Sequence, residues 1–431
     1  MSTPPAHGLQ SPKLDERSLS TLAQGMVGSE VLRIAGQVRA AIAAGRDILN
    51  LTVGDFDSRE FPVPAPLIAG IQRALADGHT NYPPSNGIPE LRKAVAEFYG
   101  RELGLQVPIE SVLIAGGARP LIYGTYRTLV EPGESVVFPV PSWNNNHYAY
   151  LCGARAVPLA VKRANGFHPT VAQIAEVLPS ARLIALCSPL NPTGTDIEPS
   201  VLAGICESIV AENARRESTG ERPVFLMFDQ VYWATTFGDA RPVTPAMLVP
   251  EVAPYTILID AISKSLAATG LRVGWAVAHP VVAQRMSDFL GHVGAWAPKP
   301  EQVATAAFLS DAKAFRDARA DMERRLRERL DRLYQGIMRL RDEGHPIDAV
   351  EPRGTLYLSA RIELPTRIAG RDLATNEEVR RLLLDEAGLA VVPFQAFALP
   401  DEDGWFRLSV GAVSVDAIER GLERLGELLA R

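Results

Sequence analysis

From about Leu91 to Val277 the apolar positions follow two alternating periods. Short runs rich in β-branched residues are Val112 to Ala115, Ser135 to Phe138, Ala156 to Val161, Leu183 to Cys187, Val224 to Phe228, Thr256 to Asp260 and Arg272 to Val277, with helical patterns among them. Seven such runs predict an α/β fold: a mostly parallel seven-stranded sheet covered on both faces. In sheets of this kind ligands sit at the carboxyl ends of the strands.

After Pro300 the texture changes. Glu301 to Glu343 is nearly free of Gly and Pro and reads as long helices, with Leu, Met and Tyr at helical spacing among dense charges from Ala318 to Arg341. That spacing predicts a surface or interdomain helix rather than a basic patch. Strand-like runs return at Thr355 to Ile362, Leu389 to Val392 and Trp405 to Val410, and Ser414 to Leu429 closes as an amphipathic helix. A second, smaller α+β domain is expected there. No internal repeat is present.

Composition narrows the class. A chain of 431 residues exceeds what one core usually holds, and 47% hydrophobic with 22% charged residues is a globular balance. The net charge of -6, without a long run of one sign, argues against a nucleic-acid partner. Cys152, Cys187 and Cys206 are odd in number and contain no Cys-x-x-Cys pair, so neither a disulfide framework nor a metal site is expected. No apolar stretch is long enough to span a bilayer, and Met1 to Gln10 is polar without the apolar run of a signal peptide, so a cytoplasmic protein with no membrane partner is expected.

Four motifs fall where a strand gives way to a loop. Ala115-Gly116-Gly117-Ala118-Arg119 precedes a helical run, where small residues let backbone N–H groups approach an anion, although Gly-Gly also serves any tight turn. It lacks the spacing of a dinucleotide-binding glycine fingerprint, which disfavours a nicotinamide-dependent reductase. Ser188-Pro189-Leu190-Asn191-Pro192-Thr193-Gly194 is a stiff loop that fixes one amide, or simply an Asn-Pro turn. In Phe228-Asp229-Gln230-Val231-Tyr232 a carboxylate ends a buried strand, where it needs a cation or donor, or else caps a helix. Ile262-Ser263-Lys264-Ser265, followed by Gly270-Leu271-Arg272, sets a lysine just past a buried strand. Desolvation and the neighbouring Arg272 should depress its pKa and make the amine nucleophilic. A lone lysine is more often a solvated surface group, but the order of the four motifs matters. A phosphate loop, an Asn, an Asp with Tyr, and a Lys with Arg together meet the needs of pyridoxal phosphate.

With those residues in place, the sequence resembles the class I/II aminotransferases of the aspartate aminotransferase superfamily, fold type I. The matching positions are Asn81-Tyr82 with Gly87 and Leu91-Arg92, Gly116-Gly117-Ala118, Pro141-Ser142-Trp143, Asn191-Pro192-Thr193-Gly194, Asp229 with Tyr232, Ser263-Lys264, Arg272 and Arg407. The resemblance implies a flexible arm over 1–30, small-domain residues over 31–50, a large cofactor-binding domain over 51–300 and a small domain over 301–431. It implies pyridoxal 5'-phosphate as cofactor, with Lys264 forming the Schiff base and shuttling the proton. Asp229 would pair with the ring nitrogen, Asn191 and Tyr232 with the phenolic oxygen, and Trp143 would stack on the ring. The phosphate would be held by Gly117, Ala118, Arg119, Ser263 and Arg272, and by Tyr82 from a second subunit, which makes a homodimer with a shared site. Arg407, helped by Gly54 and Asn191, would grip the substrate α-carboxylate.

Three departures stand out. Ala261 occupies a position where many relatives carry a phosphate-binding Ser. Pro393-Phe394-Gln395-Ala396-Phe397 replaces a Gly-containing turn, so Phe394 is expected to reshape the substrate mouth. Gly291 to Lys299 lacks the Arg that binds the distal carboxylate in one subgroup, leaving His292 or Lys299 as substitute cations, or Trp296 as the wall of an apolar pocket. The expected activity is ping-pong amino transfer from an L-amino acid, aspartate or a neutral or aromatic one, to a 2-oxo acid such as 2-oxoglutarate. The alternatives are a carbon–sulfur lyase, an aspartate decarboxylase, an aminocyclopropane carboxylate synthase-like elimination, or a non-catalytic sensor module. The last is disfavoured because only about 30 residues precede the first helical stretch, too few for a DNA-binding extension.

Overall fold

The computed structural model describes residues 15–238 and 240–431; the first part of the expected N-terminal arm lies outside them. All seven predicted strands form. They are β1 (Val112–Ala115), β2 (Ser135–Val140), β3 (Arg155–Ala160), β4 (Ala181–Cys187), β5 (Phe225–Asp229), β6 (Thr256–Ala261) and β7 (Gly274–Val277). They make one sheet in the order β1-β7-β6-β5-β4-β2-β3. The β2–β3, β2–β4, β4–β5 and β5–β6 pairs are parallel, and β7 runs against both β6 and β1.

The apolar runs are continuous because the central strands are buried on both faces. On one face Leu91 and Phe98 of helix Pro89–Leu103, Ile205 of helix Pro199–Thr219 and Phe308 of helix Lys299–Ser310 pack onto Ile184, Leu226 and Leu258. On the other face Ile34 of helix Glu30–Ala43, Leu121 of helix Ala118–Leu129 and Met286 of helix Pro280–His292 meet Leu183, Met227 and Ile257. The last strand begins two residues later than its apolar pattern suggests. Arg272 takes a left-handed φ of 55°, which turns its side chain toward the loop after β1 instead of continuing the ladder.

The charged C-terminal pattern forms one long helix, Ala312–Asp342. Asp311 caps it by accepting from the amides of Lys313 and Ala314. Met322, Leu326, Leu330, Leu333, Ile337 and Leu340 recur on one face and enter a third core with helices Asn376–Glu386 and Val415–Leu429. Gly336 is required where this helix meets the last one, since a Cβ there would lie 2.3 Å from Leu422 Cδ1. A four-stranded sheet in the order Val392–Pro393, Trp405–Ser409, Tyr357–Ile362, Ile347–Ala349 completes this part. The N-terminal segment crosses to it: Leu49 pairs with Leu389, and the Ser409 amide donates to the Leu51 carbonyl at 2.8 Å. That crossing carries Thr52, Val53 and Gly54 up to Arg407. Among the described residues no helix is long and apolar enough to cross a membrane.

Candidate active site

The carboxyl ends of β4, β5 and β6, the turn after β1 and the segment 52–55 surround one cleft of about 570 Å³. Lys264, Asp229, Tyr232, Asn191, Trp143 and Arg407 all line it, as do Gly54, Ala118, Arg119, Ser263 and Arg272. The four motifs singled out from the sequence thus converge in space.

Lys264 stands on the short helix Ile262–Ser265 directly after β6, and its Nζ donates to the Gly54 carbonyl at 2.7 Å. Burial lowers its pKa. Tyr357 and Asp55 oppose that effect, and the cations Arg407 and Arg119 reinforce it. The direction agrees with expectation, but the arginine differs. Arg272, expected to act on the lysine, instead donates to the carbonyls of Thr269 at 2.7 Å and Gly116 at 2.9 Å. Gly117, at φ 92°, makes this approach possible, because a Cβ there would lie 2.2 Å from Arg272 Nη2.

Asp229 ends β5 with its carboxyl in the cleft. The Val231 amide donates to its Oδ1 at 3.2 Å, which closes a turn, so the helix-capping alternative falls away. Burial pushes its pKa up to about 6 against the pull of that amide and of the Lys264 charge. The Tyr232 hydroxyl lies 3.1 Å from that of Tyr357. Trp143 presents its ring to the cleft, with the Arg119 guanidinium 5.3 Å from its centroid.

Arg407 is 1% exposed. Its Nη1 donates to Asn191 Oδ1 at 3.2 Å and its Nη2 to the Thr52 carbonyl at 2.8 Å, while Tyr357 and Phe397 place ring centroids 4.5 and 4.8 Å from the guanidinium carbon. Its Nε has no partner, and among the described residues it meets no carboxylate. A buried guanidinium without an anion is costly unless a ligand supplies one.

These residues fit pyridoxal phosphate. Helix Ala118–Leu129 opens at Gly117 without a side-chain cap, leaving the first-turn amides of Ala118 and Arg119 for an anion beside Arg272 and Ser263. Asp229 would face a ring nitrogen, and Lys264 would supply the amine. Ala261, buried in the cleft wall, offers no hydroxyl, so the anion cup has one donor fewer, as its identity implies.

Other expected residues lie elsewhere. Tyr82 is 81% exposed, with its ring edge against Trp296 at 5.1 Å. Lys299 Nζ donates to Asn81 Oδ1 at 2.5 Å, and His292 ends helix Pro280–His292 in the exposed loop beyond. None of these five residues lines this chain's own cleft. Phe394 does not reshape the mouth either: it is fully buried and stacks on Trp405 at 6.2 Å, because the turn points its side chain into the core.

Sequence reasoning missed several groups. Tyr357 touches Tyr232, Arg407 and Gly54 from a strand with no distinguishing motif. Asp55 accepts from Thr269 Oγ1 at 2.6 Å. Helix Glu30–Ala43 contributes Val31, Ala35 and Arg39 to the cleft wall, and their i, i+4 spacing was the available signal.

The profile of the aminotransferase class I and II family matches residues 46–425. An aspartate aminotransferase of Geobacillus stearothermophilus is 28% identical, over 92% of this chain and 95% of its own length. The crystal structure of the aspartate aminotransferase from Rhizobium meliloti superposes with a TM-score of 0.86 at 25% identity, covering 96% of this chain and 99% of that one. The aspartate aminotransferase from Thermus thermophilus, solved with maleate, gives a TM-score of 0.84 at 26% identity, covering 95% and 99%.

Proposed function

The chain belongs to the aminotransferase class I and II family and is a pyridoxal-phosphate-dependent aminotransferase, and from that premise we propose that it takes the amino group of a dicarboxylic L-amino acid of the aspartate type and gives it to a 2-oxo acid such as 2-oxoglutarate. The reaction runs in two halves, with the amino group held on the enzyme between them.

The observation that carries the choice of donor is the charge of the cleft. Arg39, Arg119, Lys264, Arg272 and Arg407 line it against Asp55 and Asp229. Lys264 and Arg272 serve the cofactor and Arg407 the α-carboxylate, which leaves Arg39 and Arg119 over. Among the described residues neither has a carboxylate partner, and both are exposed at the cleft. A distal carboxylate would complete them. They take the place in this reading that His292 and Lys299 held from sequence. That relatives are named aspartate aminotransferases, and that one was solved with a dicarboxylate, supports the same choice.

Bound pyridoxal phosphate supplies an electron sink that loosens the proton on the substrate's α-carbon. The residues of this chain do the rest. Arg407 holds the α-carboxylate in its planar fork, with Asn191 fixing the guanidinium. Lys264 Nζ would move the proton of the α-carbon, and the burial that lowers its pKa favours the neutral amine this needs. Asp229 would hold a proton on the ring nitrogen, and Trp143 would cover the ring.

The patch of exposed Asn81 and Tyr82 with half-buried Trp296 and Lys299 is the surface through which a second subunit would join, with Tyr82 reaching the partner's phosphate. A homodimer in the cytoplasm completes the reading, with helices Glu30–Ala43 and Lys299–Ser310 packed on the large domain's sheet and Leu49–Asn50 joining the smaller domain. The test is a panel of aspartate, alanine, phenylalanine and kynurenine with 2-oxoglutarate, and of glutamate with oxaloacetate. Faster turnover of the acidic donors is expected, and equal rates on acidic and neutral donors would remove the distal-cation reading. Release of ammonia without a keto acid would point to a lyase.

A further inference from the structure

On the face of the sheet away from the cleft lies a carboxylate that the reaction does not touch. Asp260 is 1% exposed and pairs in register with Trp275. It follows Ile259, the register partner of Asp229, so alternation along the strand turns the two carboxylates to opposite faces. Asp260 Oδ2 accepts from Trp233 Nε1 at 2.7 Å and from the Tyr99 hydroxyl at 3.0 Å, and Oδ1 accepts from the Ala261 amide at 2.7 Å. The Tyr99 oxygen in turn accepts from Trp275 Nε1 at 3.0 Å and Gln230 Nε2 at 3.1 Å. It thereby uses its one donor and both acceptor sites.

Every member of this network but Tyr99 lies within three residues of a cleft residue in the chain. Gln230 follows Asp229, Trp233 follows Tyr232, Ala261 begins the turn to Lys264, and Trp275 lies three residues past Arg272. We propose that Asp260 is a positioning residue, whose buried carboxylate, through Tyr99 and Trp233, ties together from behind the sheet the turns that present Asp229, Tyr232, Lys264 and Arg272. The proposal rests on the aminotransferase reading of those four residues.

Three donors converging on one buried group call for an acceptor-only anion. An amide in its place must turn its NH₂ toward the Ala261 amide or toward Tyr99 and Trp233, leaving a donor without an acceptor. Around Asp260 the facing groups are Tyr99 from helix Pro89–Leu103, Trp233 and Gln230 from the turn after β5, and Trp275 from β7. The charged group acting on it is Asp229 across the sheet, and the Arg319 guanidinium lies 5.7 Å from the Trp233 ring centroid. Burial, with a further push from Asp229, raises the Asp260 pKa to about 7. Asp229 is the stronger acid of the two and ionises while Asp260 is still protonated, so removing Asp260 leaves the Asp229 titration in place.

The test uses holoenzyme and cofactor-free forms of Asp260→Asn and Tyr99→Phe. Three quantities are read: kcat and KM for donor and acceptor, affinity for pyridoxal phosphate by titration, and the acid limb of that affinity against pH. For Asp260→Asn we expect kcat to fall by about tenfold to a hundredfold, as when a reacting group drifts from its place, with KM changed by less than about threefold. Its acid limb should stay in place, since Asp229 ionises while Asp260 is protonated. Tyr99→Phe keeps the carboxylate, so a smaller fall in kcat is expected. If Asp260→Asn does not fold, Tyr99→Phe and Trp233→Phe decide, and a fall in kcat at constant KM in both supports the proposal. Folded variants with wild-type kcat, whatever their melting temperatures, overturn it. Absence of wild-type turnover in the same assay would instead count against the aminotransferase reading itself, so the two failures are distinct.

Discussion

The ammonium of Lys264 rests on the carbonyl oxygen of Gly54 at 2.7 Å, and Gly54 is itself so close to Tyr357 that a Cβ there would lie 2.9 Å from the tyrosine hydroxyl. A residue 210 positions earlier in the chain thus holds the amine in line with the ring site. The segment 52–54 joins the amine to the carboxylate-binding arginine, since Arg407 Nη2 donates to the Thr52 carbonyl.

Gly117 tests the anion cup. At Gly117→Ala the new methyl would meet the Arg272 guanidinium and sit on a backbone with φ 92°. Titration with pyridoxal phosphate should show affinity weakened by about tenfold or more, with thermal stability changed much less, because the clashing atom is the far end of a flexible side chain. Unchanged cofactor affinity would remove Arg272 from the cup.

Arg407→Lys keeps a positive charge and loses the planar fork. The kcat/KM of every amino donor should fall by about a hundredfold, acidic and neutral donors alike, because the α-carboxylate is common to all. Steady-state kinetics on two donors checks this. A loss confined to one donor would assign Arg407 to side-chain recognition.

Arg39→Gln and Arg119→Gln separate the donors. Each should lower kcat/KM for aspartate by about tenfold or more while leaving alanine within about threefold, since only aspartate carries the second carboxylate. Parallel losses for both donors would contradict the assignment.

Much of this arrangement was legible in the sequence, because a buried parallel sheet leaves continuous apolar runs and its ligand residues follow directly after them. Lys264, Asp229 and Asn191 were found in that way. Contacts between distant segments leave no local pattern. Tyr357 meets Tyr232 across 125 positions, and Tyr99 meets Asp260 across 161. Phe394 was misplaced for a related reason: a turn's composition does not tell which way its side chain points. Arg272 was identified correctly as a cleft residue, but its φ of 55° directs it to Gly116 rather than to the lysine.

The raised pKa of Asp229 has a signature in the cofactor-free protein. Its carboxyl goes from an ordinary 3.8 to about 6 on burial, so folding favours the protonated form. The stability this gives is complete below about pH 4 and is lost as pH rises through about 6, a difference of about 3 kcal/mol by linkage. Denaturant titrations from pH 4 to 7 should show that fall in the wild type and a shallower one in Asp229→Asn. Identical profiles would mean the carboxylate is already compensated without cofactor.

The most direct measurement is amino transfer from aspartate to 2-oxoglutarate by the wild type and by Lys264→Ala, with folding and cofactor content verified for both. The wild type should form glutamate, and the variant should lose at least about four orders of magnitude in kcat, because among the described residues no other amine lines the cleft to move the proton. Turnover by Lys264→Ala within about tenfold of the wild type would contradict the assignment of Lys264 and the mechanism built on it.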